Sequence, residues 1–181
     1  MTDTDVRAVT PWLHQGEQLL AVADVSLCGL IRDTVPHRYR PKPRSAFDGL
    51  LLPLELAVAS WTAVRRALVA PLRGRPFRGG WRSQAGRFVI AVRTRPSGPK
   101  SVHYDNERAL LAFTDHRVLI AHTGPRETRY LGEFPRADLR GARIRHWTFS
   151  DRVDLTFADG SLVAVEARQP EAEALARLVT S

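Results

Sequence analysis

The sequence predicts a single α+β domain, residues 1–181, in which an antiparallel β-sheet is closed by a C-terminal helix. Short apolar runs of strand length, separated by turn-forming residues, follow one another from residue 109 to residue 167. The last residues then carry apolar side chains at helical spacing. With 181 residues, of which 44% are hydrophobic and 25% charged, the chain has the size and composition of one globular domain.

The first predicted element is a strand over residues 18–27, which are mostly apolar. The residues before it begin with a polar, acid-leaning stretch, so we expect no secretion signal. Cys28 is the single cysteine, which excludes a disulfide scaffold and a cysteine-based zinc cluster. Both observations favour a location in a reducing cytoplasm.

The middle of the chain, residues 29–106, is rich in basic residues and is predicted to contain one helix. Residues 35–44 contain three prolines and predict an extended connector. A helix is predicted at about 53–70, because Pro53 suits its start and Pro71 its end. Residues 88–92 fit either a strand or part of a helix that begins near Ser83.

The predicted helix at 53–70 is apolar around most of its circumference, and three interpretations remain open. It packs against the sheet, forms a homodimer interface, or inserts into a bilayer surface. Glu55 and Arg65 interrupt the apolar run too early for a membrane-spanning helix, which needs about 20 apolar residues.

The last third of the chain predicts a β-meander followed by a helix. An Asp159-Gly160 pair between two alternating runs predicts a hairpin with a tight type I′ turn. Pro170 and the acidic residues after it suit the first turn of a helix. The predicted strands are 109–114, 117–122, 129–134, 142–149, 153–158 and 161–167, and the predicted helix is 170–179.

Four parts of the sequence together resemble the bacterial pleckstrin-homology-like (PH-like) domains, including their GRAM-type relatives. They are the opening with Gly16, Glu17, Leu19 and Leu20, the hairpin 110–120, the turn 157–160 and the helix 170–179. The resemblance covers residues 10–28 and 107–181, so residues 29–106 are expected to be an insertion where the family has a short loop. It implies a strongly bent antiparallel sheet, a partial barrel, capped by the C-terminal helix. It implies no fixed chemistry, because such domains bind lipids, peptides or proteins.

The excess of basic over acidic residues lies entirely in the middle segment. The formal net charge is +8, made up of −3 for residues 1–28, +11 for residues 29–106 and 0 for residues 107–181. A field of one sign over one region indicates an anionic partner.

The candidate binding residues lie in a glycine- and arginine-rich loop of this segment. This composition fits three interpretations: contact with an anionic membrane surface, binding of single-stranded nucleic acid, and a solvated loop. The membrane is favoured over nucleic acid because no nucleic-acid-binding motif is present in the sequence and because lipid contact agrees with the resembled family. The residues are Arg73, Arg75, Arg78 and Arg82, with Phe77 and Trp81 between them.

Enzymatic function finds little support in the sequence. There is no nucleophile-elbow, phosphate-loop or zinc-protease motif, and no two of the six histidines have the helical spacing of metal ligands. Asp115, His116 and His122 would indicate an enzyme if they met beside a deep cleft. We therefore expect a non-enzymatic binding or scaffold module without cofactor or metal. Its partner would be another protein or the inner face of the membrane, to which it would attach peripherally.

Overall fold

A computed structural model describes residues 3–29, 31, 35–39, 75–93, 108–123, 128–146 and 151–180. The predicted helix at 53–70 lies outside these residues. The described elements in chain order are α1 Asp3–Val9, β1 Leu19–Leu27, β2 Phe77–Arg78, α2 Gln84–Arg93, β3 Arg108–Thr114, β4 Arg117–Thr123, β5 Thr128–Pro135, β6 Leu139–Arg145, β7 Asp151–Phe157, β8 Leu162–Ala167 and α3 Gln169–Thr180.

The described strands form one open antiparallel sheet in the order β5-β4-β3-β1-β8-β7-β6, and β2 pairs with β8 outside this path. The helix α3 packs against β6, β1 and β7. Ala172 and Leu175 of α3 are fully buried in the main core. The predicted α+β fold with an antiparallel sheet and a C-terminal helix is therefore confirmed.

The hairpin of β3 and β4 is buried on both faces. Its inner face contributes Leu111 and Val118 to the main core. Its outer face joins a second cluster beneath α1, where Val9, Leu110 and Leu119 are buried. Two covered faces explain why these strands are continuous apolar runs instead of alternating ones. The helix α1 was not expected from the sequence.

The strand β6 begins three residues earlier than predicted. Leu139 is buried and pairs with Phe157. A short 3₁₀ turn, Arg136–Asp138, precedes the strand, and the carbonyl of Asp138 accepts a hydrogen bond from Ala158 N (2.7 Å). This bond fixes the start of β6 beside the β7–β8 hairpin.

The Asp159-Gly160 hairpin is confirmed, but its predicted turn type is wrong. A type I′ turn needs positive φ at both central residues. Gly160 has φ 74°, whereas no described non-glycine residue has a positive φ. The loop instead has three residues, because Gly160 N donates to Phe157 O and Phe157 N donates to Ser161 O, both at 2.9 Å. The Asp159 carboxylate accepts from Ser161 N (2.9 Å), which holds this wider loop together.

One residue of β8, Ala164, bonds both to the point where the chain leaves the sheet after β1 and to the point where it returns before β2. Cys28 N donates to Ala164 O (3.0 Å), and Ala164 N donates to Pro76 O (2.7 Å). β2 therefore continues along β8 from the point where β1 ends. The segment predicted as an insertion thus contributes a strand to the sheet.

The connector predicted as extended over 35–44 is described only to Tyr39. Residues His37–Tyr39 form a 3₁₀ turn, because Tyr39 N donates to the carbonyl of Pro36 (2.9 Å). The prediction of an extended chain is wrong for these three residues, since the single proline before them leaves their own N–H groups able to bond.

Candidate functional site

The ambiguous segment after the arginine loop is a helix, α2, and its N-terminus is capped by the β7–β8 hairpin. Gln84 N donates to the Asp159 carboxylate (2.8 Å) and Ala85 N to the Ser161 hydroxyl (3.0 Å). Gly86 N donates to the hydroxyl of Ser83, the helix N-cap (3.1 Å). Three N–H groups that a helix end leaves unpaired are thereby satisfied.

Asp159 is suited to this capping role by its charge. Burial alone would favour the neutral carboxyl, but hydrogen bonds from Ser161 and Gln84 outweigh it and lower the pKa of Asp159 below its usual value. A carboxylate at this position also interacts favourably with the helix dipole.

The inner face of α2 is held tightly against the core. Phe88, Val89 and Val92 are buried there. Gly86 faces the preceding turn so closely that an added Cβ would lie 2.6 Å from the Cα of Trp81. The helix and Trp81 are consequently fixed relative to each other.

The residues from Arg75 to Arg93, here called the basic segment, carry five arginines and no acidic residue. Arg75, Arg78 and Arg82 are exposed, as expected for a contact surface, and so is Arg87 of α2. Arg78 donates to the carbonyl of Gly160 (3.1 Å). Arg73 lies outside the described residues.

The two aromatic residues of the predicted site contact each other instead of projecting freely. The rings of Phe77 and Trp81 are tilted, with centroids 5.4 Å apart. Both side chains are partly buried against the main core. Their position limits how deeply either ring can insert into a lipid bilayer.

A groove of about 540 Å³ lies between α2, β5 and the 3₁₀ turn at Tyr39. Ile90, Ala91 and Leu131 supply aliphatic groups, and Trp81 supplies an aromatic one. It is lined by Tyr39, Trp81, Arg82, Arg87, Ile90, Ala91 and Leu131.

Two of the groove residues, Trp81 and Arg82, were predicted site residues, whereas Arg87 was missed. A helical assignment of 84–93 would have placed Arg87 on the same face as Ile90 and Ala91. Nothing in the sequence links Tyr39 or Leu131 to this site, because they come from separate elements.

Three arginines elsewhere, Arg117, Arg145 and Arg152, pair with carboxylates and hold the fold together. Arg117 contacts Glu17 through two nitrogens, Nε and Nη2, each at 2.8 Å, and also pairs with Glu133. The buried Asp154 carboxylate accepts from Arg152 Nε (2.6 Å) and Arg145 Nε (2.8 Å). By contrast, no ion pair with a described carboxylate is formed by Arg75, Arg82 or Arg87.

The Glu17–Arg117 pair explains the motif residues on which the family resemblance rests. The Glu17 carboxylate also accepts from Thr114 Oγ1 (2.7 Å) and from His14 N (2.8 Å), in a turn where Gly16 has φ 85°. The hydrogen bond from Arg117 lowers the pKa of Glu17 well below its usual value, against the opposing effect of burial. These residues therefore form a structural lock between the opening segment and the β3–β4 hairpin.

Tyr130, at the edge of this lock, does not supply an acid or base near neutral pH. Burial, followed by a hydrogen bond with Glu133, raises the pKa of Tyr130 to about 12. Its ring instead packs beside that of Trp12, with centroids 6.0 Å apart.

The candidate catalytic residues do not form one cluster. Asp115 and His116 lie together in the β3–β4 turn, with Asp115 Oδ2 and His116 Nε2 3.2 Å apart, beside a cleft of about 440 Å³. His122 lies near the opposite end of β4, about 20 Å away at the usual rise of a strand.

No group of three or more potential metal ligands is found among the residues that the structure describes. No helix within the described ranges is long and apolar enough to cross a membrane. Cys28 is buried and forms no disulfide.

A comparison with known protein families finds no match for this chain, and a comparison with curated proteins finds none.

Proposed function

We propose that this chain is a PH-like binding module that attaches peripherally to an anionic membrane surface through its basic segment. The observation that carries the proposal is the set of four exposed arginines, Arg75, Arg78, Arg82 and Arg87, in a stretch with no acidic residue. Binding rather than catalysis is proposed because the candidate catalytic residues Asp115, His116 and His122 do not form one cluster.

The architecture supports the PH-like part of the proposal. A single antiparallel path runs from β5 to β6, and α3 packs across β6, β1 and β7. The resemblance implies such a sheet with a helix at one end. The motif residues Glu17 and Arg117 also contact each other directly, so the two matching parts of the sequence pack together.

The energetics of contact follow from the exposed charges. Each arginine near an anionic surface contributes about 1 kcal/mol, so four contribute roughly 4 kcal/mol. This corresponds to about a thousandfold in affinity. The Debye length is only about 8 Å at physiological ionic strength, so we expect binding to weaken steeply as salt is added.

Attachment is electrostatic in this proposal and does not depend on inserted aromatic rings. Phe77 and Trp81 pack against each other and the core, so they are not arranged as wedges into a bilayer. Neutral vesicles should therefore bind weakly at any salt concentration.

The test is sedimentation with vesicles of 30% phosphatidylserine in phosphatidylcholine, at low salt. The variant Arg75→Gln/Arg78→Gln/Arg82→Gln/Arg87→Gln should lose at least a hundredfold in affinity. A control with the same net charge replaces four exposed arginines elsewhere, Arg7, Arg140, Arg143 and Arg168, and should lose less than threefold.

Equal losses in the two variants would show that net charge alone drives binding and would refute the assignment to the basic segment. Absence of vesicle binding by the unmodified protein would refute the membrane proposal. Selective binding of single-stranded RNA in a parallel sample would replace the membrane by nucleic acid as the partner.

A further inference from the structure

We infer that the groove beside α2 is a site for one anionic lipid molecule. Its acidic headgroup would lie on Arg82 and Arg87, and one alkyl chain would lie along Ile90, Ala91 and Leu131. This inference rests on the proposed function and deepens it, because it replaces a general attraction to a charged surface by a defined binding site.

The size and the lining of the groove agree with such an occupant. Its volume of about 540 Å³ falls within the range of 300–1,000 Å³ that small-molecule sites usually have. Its walls come from a helix, a strand and a short 3₁₀ turn, so the site is built from several elements that pack on the core.

The charge of the groove selects the sign of its ligand. Two guanidinium groups, those of Arg82 and Arg87, line it, and none of its described lining residues carries a carboxylate. Arg38 adds a third guanidinium close by, with its Cζ 4.8 Å from the centre of the Tyr39 ring. Guanidinium groups bind phosphate and carboxylate through paired hydrogen bonds, whereas a cationic lipid would be repelled.

The apolar part of the groove distinguishes a lipid from a free anion or a nucleotide. Ile90, Ala91 and Leu131 offer no side-chain hydrogen-bonding group that could recognise the edge of a base. A free phosphate would contact only the arginines and leave the aliphatic surface exposed to water. An alkyl chain covers this surface and removes it from water.

The packing around α2 fixes the backbone that carries the arginines and the aliphatic residues of the helix. Asp159 and Ser161 hold the first turn of the helix, and Gly86 allows the turn at Trp81 to contact it directly. Arg82 shortly precedes this first turn and Arg87 ends it, so both are presented by a fixed backbone.

The experiment is calorimetric titration of the full chain with dodecyl phosphate, kept below its critical micelle concentration. We expect one molecule to bind per chain, and we expect inorganic phosphate and dodecyltrimethylammonium to bind at least tenfold more weakly. Equal binding of inorganic phosphate would overturn the lipid site in favour of a simple anion site. Equal binding of dodecyltrimethylammonium would overturn the role of the arginines.

Three substitutions at two positions of the groove, Ala91 and Leu131, test where the alkyl chain lies. Ala91→Glu places a carboxylate in the groove and should reduce dodecyl phosphate binding at least tenfold. Ala91→Gln adds a side chain of the same size without charge and should retain at least a third of the affinity. Leu131→Gln, on β5, should weaken binding independently by threefold or more, and circular dichroism checks that each variant is folded. Unchanged affinity in Ala91→Glu and Leu131→Gln would overturn the inference.

Sedimentation with anionic vesicles, for the unmodified chain and for the four-arginine variant, separates this inference from the proposed function. If dodecyl phosphate does not bind but the unmodified chain sediments with anionic vesicles in an arginine-dependent way, the lipid site is refuted and the surface attachment stands. If the unmodified chain binds dodecyl phosphate but not vesicles, the groove site stands and the membrane attachment is refuted.

Discussion

Replacing Glu17 by glutamine is expected to destabilise the fold strongly, because it breaks a buried ion pair on one side only. The Glu17 side chain is 3% exposed and that of Arg117 is 12% exposed. The carboxylate accepts two hydrogen bonds from Arg117, one from Thr114 and one from the backbone of His14. Removal of its charge leaves the guanidinium paired with the carboxylate of Glu133, whose side chain is 39% exposed.

The expected cost is about 3–5 kcal/mol, the usual penalty for removing one partner of a buried pair. For a chain of this length, each kcal/mol lowers the melting temperature by roughly 2–4 °C, so the midpoint should fall by about 6–20 °C. Urea unfolding followed by tryptophan fluorescence measures the free energy directly.

The double variant Glu17→Gln/Arg117→Met provides the control. It should lose at least about 1 kcal/mol less than the sum of the two single variants, because the second substitution removes the guanidinium that has already lost its buried partner Glu17. A loss below about 1 kcal/mol in Glu17→Gln, which is typical of surface pairs, would refute the structural lock. Strict additivity would also refute it.

Two further predictions concern stability. The pKa of Glu17 is lowered from an ordinary value of 4.5, and that of Asp159 is lowered too. Their contribution to the free energy of unfolding is therefore complete above about pH 4.5 and is lost as the pH falls towards the folded-state pKa values. Urea unfolding between pH 5 and pH 3 measures this loss. A free energy of unfolding that does not change over this range would contradict the prediction. Gly86→Ala should destabilise the protein by about 1–3 kcal/mol, because the new Cβ would collide with the carbonyl oxygen of Gly80. Gly141→Ala, whose Cβ would have no neighbour within 4 Å among the described atoms, is the matched control and should change the stability by less than about 1 kcal/mol.

The strands could be predicted from the sequence because the apolar pattern of each strand reflects how many of its faces are buried. A strand with one buried face alternates apolar and polar residues, and a strand with two buried faces is apolar throughout. Val153, Leu155 and Phe157 alternate with polar residues, and all three are buried in the core. The same alternation suggests that Asp154 is exposed, yet its side chain is 4% exposed and pairs with Arg152. The ion pair compensates both charges, and the alternation of residues along the strand does not predict it.

The helix α2 could not be decided from its own sequence. Residues 88–92 form an uninterrupted apolar run, which fits a buried strand and a buried helical face equally well. The deciding contact is the cap that Asp159 provides to Gln84, which lies 75 residues away in the sequence. Only the tertiary structure brings these residues together.

The candidate site was predictable in its charge but not in its shape. The arginines near Trp81 follow from composition alone, since the middle of the chain carries the whole charge excess. The groove additionally needs Tyr39 and Leu131, which come from separate parts of the chain. Its aliphatic surface therefore became visible only with the packing of α2 beside β5.

The most direct test of membrane attachment by the basic segment is hydrogen–deuterium exchange of the unmodified chain, with and without anionic vesicles at low salt. Peptides covering Arg75 to Arg93 should exchange more slowly when vesicles are present, and 0.5 M salt should remove this protection. Peptides from β6 and β7 should exchange at unchanged rates. Protection confined to another region, such as α3 or the Asp115-His116 turn, would contradict the account, and so would unchanged exchange throughout the chain under conditions where the protein sediments with the vesicles.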